Sequence, residues 1–143
     1  MKFIHLSDLH ILARNDVSRQ PDAAATLRKV IREINALHRD AEICVITGDI
    51  THRGTPEQYE QAVDILSDLT IPYMLIPGNH DIRDAFKDAF PTTPVDANGF
   101  VNFGQTFNGV RFVMMDSIVP GSHHGTLCDK RLGWLRDELT AHK

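Results

Sequence analysis

Three short apolar runs, each ending abruptly in a polar cluster, limit what this chain can fold into more than any other feature. Residues 2–6 read as a strand and run into Ser7-Asp8-Leu9-His10. Residues 42–47 contain Ile43, Cys44, Val45 and Ile46 in succession, so both faces of that strand are apolar, as in a strand covered on two sides. Gly48-Asp49 follows directly. Residues 72–76 form the third run, and Pro77-Gly78-Asn79-His80-Asp81 follows it.

Helical patterns separate the runs. Leu27, Val30, Ile31, Ile34 and Leu37 recur at helical spacing, which predicts an amphipathic helix over residues 21–38 with Asp22 helping to cap its start. Thr55-Pro56-Glu57-Gln58 supplies an N-cap threonine, a proline for the first turn and a glutamine that completes a capping box. That helix is predicted to reach about Leu69 and to bury Tyr59, Val63 and Leu66. Strand, helix, strand, helix, strand implies βαβ units, hence an α/β fold with a mostly parallel sheet and flanking helices.

The second half changes character. Residues 100–103 and 110–115 read as strands, with Asn108-Gly109 as the turn of a hairpin. Residues 129–142 read as a closing helix with Leu132, Leu135 and Leu139 on one face. No repeat or linker interrupts the chain, so residues 1–143 are expected to form a single domain.

Composition narrows the function classes. The formal charge is -4, with 19 acidic against 15 basic residues, and no Lys/Arg run forms a nucleic-acid groove or an anionic-membrane surface. A phosphate-bearing substrate would therefore need a very local positive charge, which bound metal ions could supply. Cys44 sits in an apolar run and Cys128 lies far away, which gives no disulfide framework and points to a reduced, cytoplasmic compartment. The first ten residues are too short and too polar for a secretory signal, and nothing approaches a membrane span of about 20 apolar residues.

The polar clusters carry the chemistry. In open α/β sheets ligands bind beyond the carboxyl ends of the strands, so all three clusters are expected on one edge. Residues two apart in an extended segment point the same way, so strand alternation would aim Asp8 and His10 at one point. Carboxylate and imidazole together suit Zn, Fe, Mn or Ni, and the Asn79 carbonyl would add a neutral oxygen donor. Asp49 has two oxygens and could bridge two metals about 3.5–4 Å apart. Gly48 and Gly78 would permit close backbone approach or unusual dihedrals. Each cluster also has a plainer reading: a chance Asp-x-His pair, a Gly-Asp turn, and Asn79 or Asp81 capping a helix that begins near Ile82. Their occurrence in order, each after a strand, favours a metal site.

Asp8-Leu9-His10, Gly48-Asp49 and Gly78-Asn79-His80-Asp81 match the first three motifs of the calcineurin-like metallophosphoesterases. His5-Leu6-Ser7-Asp8, Gly48-Asp49-Ile50-Thr51, Asp116-Ser117, His124-Gly125-Thr126-Leu127 and Trp134-Leu135 resemble its cyclic-nucleotide and glycerophosphodiester phosphodiesterase branch. The resemblance covers the whole chain as the N-terminal part of such a domain. It implies part of an α/β/β/α sandwich lacking its C-terminal strands, and a hydrolase of small phosphate esters that uses a metal-bound hydroxide. Asp8 and His10 would hold the first of two divalent ions, Asp49 would bridge both, and Asn79 would hold the second. His80 would stand by the leaving group as electrostatic stabiliser or acid.

The chain departs from the family pattern by lacking a histidine after a later strand and a closing Gly-His-x-His segment. The second ion would keep only Asp49 and Asn79, and the first Asp8, His10 and Asp49. His52 could line the pocket, while His123 and His124 lie in a Gly/Ser loop. The helices here can cover mainly one sheet face, which predicts an apolar patch on the other. Two expectations follow: the domain is C-terminally truncated, or a second copy or another chain covers that face. The alternative function is a truncated, non-catalytic metal-binding domain that acts by association. A protein phosphatase built on the same metal core is a third class.

Overall fold

A computed structural model describes residues 1–14, 16, 18 and 22–142. Three parallel strands, β1 (Phe3–Leu6), β2 (Ile43–Thr47) and β3 (Tyr73–Ile76), form one sheet in the order β1-β2-β3. Ile4 faces Cys44 and Val45 faces Met74 across the ladders. Helices α1 (Ala23–Leu37), α2 (Pro56–Leu66) and α3 (Arg83–Ala89) connect and follow these strands. A separate antiparallel pair, β4 (Phe103–Phe107) and β5 (Val110–Met114), precedes α4 (Asp129–Ala141). Among the described residues no helix is long and apolar enough to cross a membrane.

The helices form for the reasons their sequences predict, with local differences. Asp22 caps α1 by accepting the Ala25 N–H at 3.1 Å, and Leu27, Ile31 and Ile34 are buried. Pro21, where the helix was expected to begin, lies outside the described residues. Pro56 opens α2, but the capping box does not form. The Thr55 side chain makes no cap bond, and Gln58 Oε1 instead accepts the Arg53 N–H at 2.7 Å. Left-handed Gly54 (φ 68°) turns the chain between them. The helix ends at Leu66 rather than Leu69, and Ala62 and Ile65 join the core where Val63 is only half-buried.

The sheet face expected to be bare is covered at β2, while Phe3 at the β1 edge stays half-exposed. Ile43, Cys44, Val45 and Ile46 are all buried, and on the face carrying Phe3 and Ile43 the β4–β5 hairpin is what packs against the sheet. The Phe3 and Phe112 rings meet edge to face with centroids 5.5 Å apart, and Phe103 and Met114 enter the same core. The hairpin turns at Asn108 and Gly109, both at positive φ (45° and 78°), as a two-residue primed turn requires.

The strand predicted over residues 100–103 begins only at Phe103. Asp96 claims the preceding segment: its carboxylate accepts the Phe100 N–H and the Asn102 side-chain amide, and its own N–H donates to the Phe100 carbonyl. In α4 the apolar stripe does not enter the core. Leu132 and Leu139 are exposed, and the buried residue of the helix is Arg131.

Candidate metal centre

The three loops that leave β1, β2 and β3 meet at the carboxyl edge of the sheet. Two of them zip together: the N–H groups of Asp8, His10 and Ile11 donate to the carbonyls of Gly48, Asp49 and Ile50 at 3.2, 2.8 and 3.0 Å. Ile11 and Thr51 then extend the pairing as a parallel bridge. The third loop closes on the second through glycine. A Cβ on Gly78 would stand 2.2 Å from Asp49 Oδ1 and 2.3 Å from its nitrogen, so only glycine lets the backbones touch. Gly48, at φ 92°, faces Gly78 from the other side.

Asp8 and His10 converge, but not by strand alternation. Both follow β1 in left-handed conformation (φ 57° and 46°), as does Asp49 (φ 49°). Apart from the hairpin residue Asn108, these are the only non-glycine residues at positive φ among those described. Such backbone costs about 1–3 kcal/mol per residue and is found where a site demands it.

Here it aims carboxylates at an imidazole. His10 Nε2 lies 3.9 Å from Asp8 Oδ1 and 3.7 Å from Asp49 Oδ2. Two donors each about 2.1 Å from one ion stand at most about 4.2 Å apart, so His10 is within one cation's shell of either carboxylate, and all three ligand atoms lie within 4.8 Å of one another. Neither carboxylate pairs with Lys or Arg among the described residues. His10 Nδ1 is buried without a partner. The donor set fits a divalent metal ion of the first transition row.

Asn79 and His80 join from the third loop. Asn79 lines a cleft of about 250 Å³ with Asp8, Asp49, Ser117, His123 and His124, and its Nδ2 lies 3.4 Å from His123 Nδ1. The His80 N–H donates to Asp49 Oδ1 at 3.0 Å, and its Nδ1 meets the His52 carbonyl at 2.9 Å. A carbonyl only accepts, so Nδ1 carries the proton and Nε2 is left as the unprotonated nitrogen. The rings of His10, His52 and His80 gather side by side. The remaining histidines are elsewhere: His5 on Thr47, His38 on Lys2, and His142 at the end of α4.

Asp81 does not cap α3, which begins after Ile82 with no side-chain cap. It is a buried hub instead. Its carboxylate accepts the N–H groups of Gly78, Ile50 and Thr51 and the hydroxyls of Thr51 and Tyr59, at 2.8–3.1 Å. Burial pushes the carboxyl above its usual range, while these donors pull it back down. One side chain thus ties the second metal-site loop to the third.

A second hub carries the cleft's far wall. Buried Asp116 receives the Arg83 guanidinium and the Ile118 N–H, while Arg131 donates to the Asp116 carbonyl at 2.8 Å. Arg83 and Arg131 also clasp the Phe100 ring at 5.2 and 4.6 Å. This network seats Ser117 and Ile118, from which the loop carrying His123 and His124 returns at Gly125. Sequence reasoning missed both hubs. The available signal was a carboxylate soon after each apolar run, Asp81 five residues past Ile76 and Asp116 directly after Met115.

Comparison with known proteins bears on the family and the fold. A probable cyclic nucleotide phosphodiesterase of Rhodopseudomonas palustris is 37% identical over 141 residues, covering 97% of this chain and 52% of that protein. A probable glycerophosphodiester phosphodiesterase of Arcobacter nitrofigilis is 30% identical, with 97% and 52% covered. The chain spans about half the length of these relatives. A purple acid phosphatase from yellow lupin seeds superposes with a TM-score of 0.60 at 15% identity, over 97% of this chain and 27% of that one, which places the fold. The calcineurin-like phosphoesterase model matches residues 1–141, and this chain belongs to that family.

Proposed function

We propose that residues 1–143, as one domain, form the metal-binding side of a phosphodiesterase acting on cyclic nucleotides or glycerophosphodiesters. The observation that carries this reading is the meeting of Asp8, His10 and Asp49 on one cation-sized space, beside Asn79 and His80. The family and fold imply divalent metal ions, and two are proposed, drawn from Fe, Mn, Zn or Ni. Asp8, His10 and Asp49 would hold the first, with Asp49 and Asn79 reaching the second. When bound, such ions polarise the phosphoryl group and acidify water.

The chain's own residues do the rest. The His80 ring is held through the His52 carbonyl, which leaves Nε2 as the nitrogen that would place or transfer a proton at the leaving oxygen. His123 and His124 line the cleft and would stand beside a bound phosphate. A small phosphoester substrate, and a cytoplasmic location consistent with free Cys44 and Cys128, complete the reading.

The test is hydrolysis of bis(p-nitrophenyl) phosphate by Mn-loaded protein, in this chain and in a form extended to the relatives' length. Hydrolysis that disappears in Asp49→Ala is expected. No hydrolysis by the extended form, or hydrolysis undiminished in Asp49→Ala, would sink the reading.

A second reading, association through a non-catalytic metal-binding domain, is favoured by the exposed Leu132 and Leu139 of α4. Elemental analysis separates the two: two tightly held ions per chain exclude the second reading, and one or none supports it.

A further inference from the structure

One histidine side chain near His10 and His80 has no part in the proposed reaction. His52 follows Asp49 in the second loop and belongs to a cluster distinct from the carboxylate set. His10, His52 and His80 each offer a ligand atom, and these atoms all lie within 4.8 Å of one another.

The ring centroids are spaced as they would be around one ion, with the His52 and His80 planes 18° from parallel. Their centroids are 4.7 Å (His10–His80), 5.4 Å (His52–His80) and 5.7 Å (His10–His52) apart. A ring centroid lies about 3.3 Å from an ion bound at its nitrogen. Imidazoles at about 90–130° around one ion therefore have centroids about 4.6–5.9 Å apart. Small ring rotations then bring the nitrogens within reach of a common centre.

Two further features fit. His80 gives its Nδ1 proton to the His52 carbonyl, the outer hydrogen bond that metal-bound imidazoles usually make, and keeps Nε2 for a ligand. His10 has a buried nitrogen, Nδ1, with no partner, in addition to the Nε2 that faces Asp8 and Asp49.

We infer that His10, His52 and His80 form an all-imidazole cation site beside the carboxylate site, with His10 common to both. The two sites differ in chemistry. Three imidazoles favour Cu²⁺, Ni²⁺ and Zn²⁺, whereas two carboxylates and one imidazole serve Mn²⁺ as well. An ion held by the imidazoles occupies His80 Nε2 and withdraws it from any other partner. Cations of the copper–zinc group therefore act as inhibitors of whatever chemistry His80 serves.

The inference needs only the three rings and stands apart from the phosphodiesterase reading. Chelator-treated full chain is titrated with Cu²⁺ and with Mn²⁺ by calorimetry, and the Cu²⁺ complex is examined by electron paramagnetic resonance for nitrogen couplings. His52→Ala is expected to weaken Cu²⁺ by at least about tenfold and to remove one nitrogen, with Mn²⁺ affinity unchanged. Asp8→Asn is expected to do the reverse, and His10→Ala to weaken both ions. His52→Asn, which keeps the side chain's bulk, guards against a folding defect and should behave like His52→Ala while melting like the parent. Cu²⁺ affinity within twofold of the parent in both His52 variants, or an unchanged nitrogen count, overturns the inference. Loss of Mn²⁺ affinity in His52→Asn overturns the separation of the two sites.

Discussion

Asp49 and His80 are bound to each other across two loops: Asp49 Oδ1 accepts the His80 N–H at 3.0 Å, while Oδ2 faces His10 at 3.7 Å. One carboxylate therefore fixes the backbone that presents His80 and offers its other oxygen to a cation. The two roles can be separated by substitution.

Asp49→Asn keeps an oxygen acceptor for the His80 N–H and loses the charge. It should fold with stability within about 1 kcal/mol of the parent, yet bind Mn²⁺ at least about tenfold more weakly. Asp49→Ala should lose both, with about 1–2 kcal/mol of stability going with the orphaned N–H. Urea melts and Mn²⁺ titrations of the two variants check this, and Ala binding Mn²⁺ like the parent would refute the role of Oδ2.

Gly78→Ala should be among the most damaging single-methyl additions in the chain. Its Cβ would fall 2.2–2.3 Å from Asp49 atoms, one of them backbone, so the loops must part. A loss of about 3 kcal/mol is expected, together with weakened Mn²⁺ binding. Gly99→Ala has open space around it and serves as the comparison for added bulk, though its φ of 81° carries its own strain. Equal metal affinity in parent and Gly78→Ala would show that the loop contact does not shape the site.

Asp116 gives the fold an acid-sensitive point. Burial alone would raise its carboxyl, but the Arg83 guanidinium and the Ile118 N–H outweigh burial and hold it below the ordinary value of 3.8. A lowered folded value means stability that is present above the unfolded pKa and lost as pH falls through the folded one. Asp116→Asn should cost about 3 kcal/mol at neutral pH, because Arg83 loses its buried partner. It should also flatten the fall in melting temperature below about pH 4. Parallel melting curves against pH in parent and variant would contradict this assignment.

The two free cysteines should report folding. Cys44 is fully buried and its thiol is pushed up to about 11, whereas Cys128 is half-exposed and held below its usual value by hydrogen bonds from Arg131. At pH 8 a thiol reagent should label Cys128 alone in native protein, and Cys44 only as fast as the chain unfolds. Rapid native labelling of Cys44 would show that β2 opens locally.

The sequence by itself determined the parallel βαβ order and the edge on which the chemistry gathers. Both follow from local signals: consecutive apolar residues at Ile43–Ile46, helical periodicity from Leu27 to Ile34, and polar residues that begin where each strand ends. The Asn108-Gly109 turn was equally legible, because left-handed backbone at both positions is a property of those residues.

Only the tertiary structure decided how the site is held. Asp8, His10 and Asp49 reach one point through left-handed backbone, a strained state maintained by the zipped loops rather than by strand alternation. The neighbours of Asp81 and Asp116 come from segments far apart in the chain. A helix cap and a buried hub therefore look alike until those segments pack. The same holds for α4: periodicity put its leucines on one face, but the carbonyls of Asp116 and Ile118 drew Arg131 inside, and Leu132 and Leu139 are exposed. Local residue preferences place elements, whereas burial of charge is settled by partners that only long-range packing supplies.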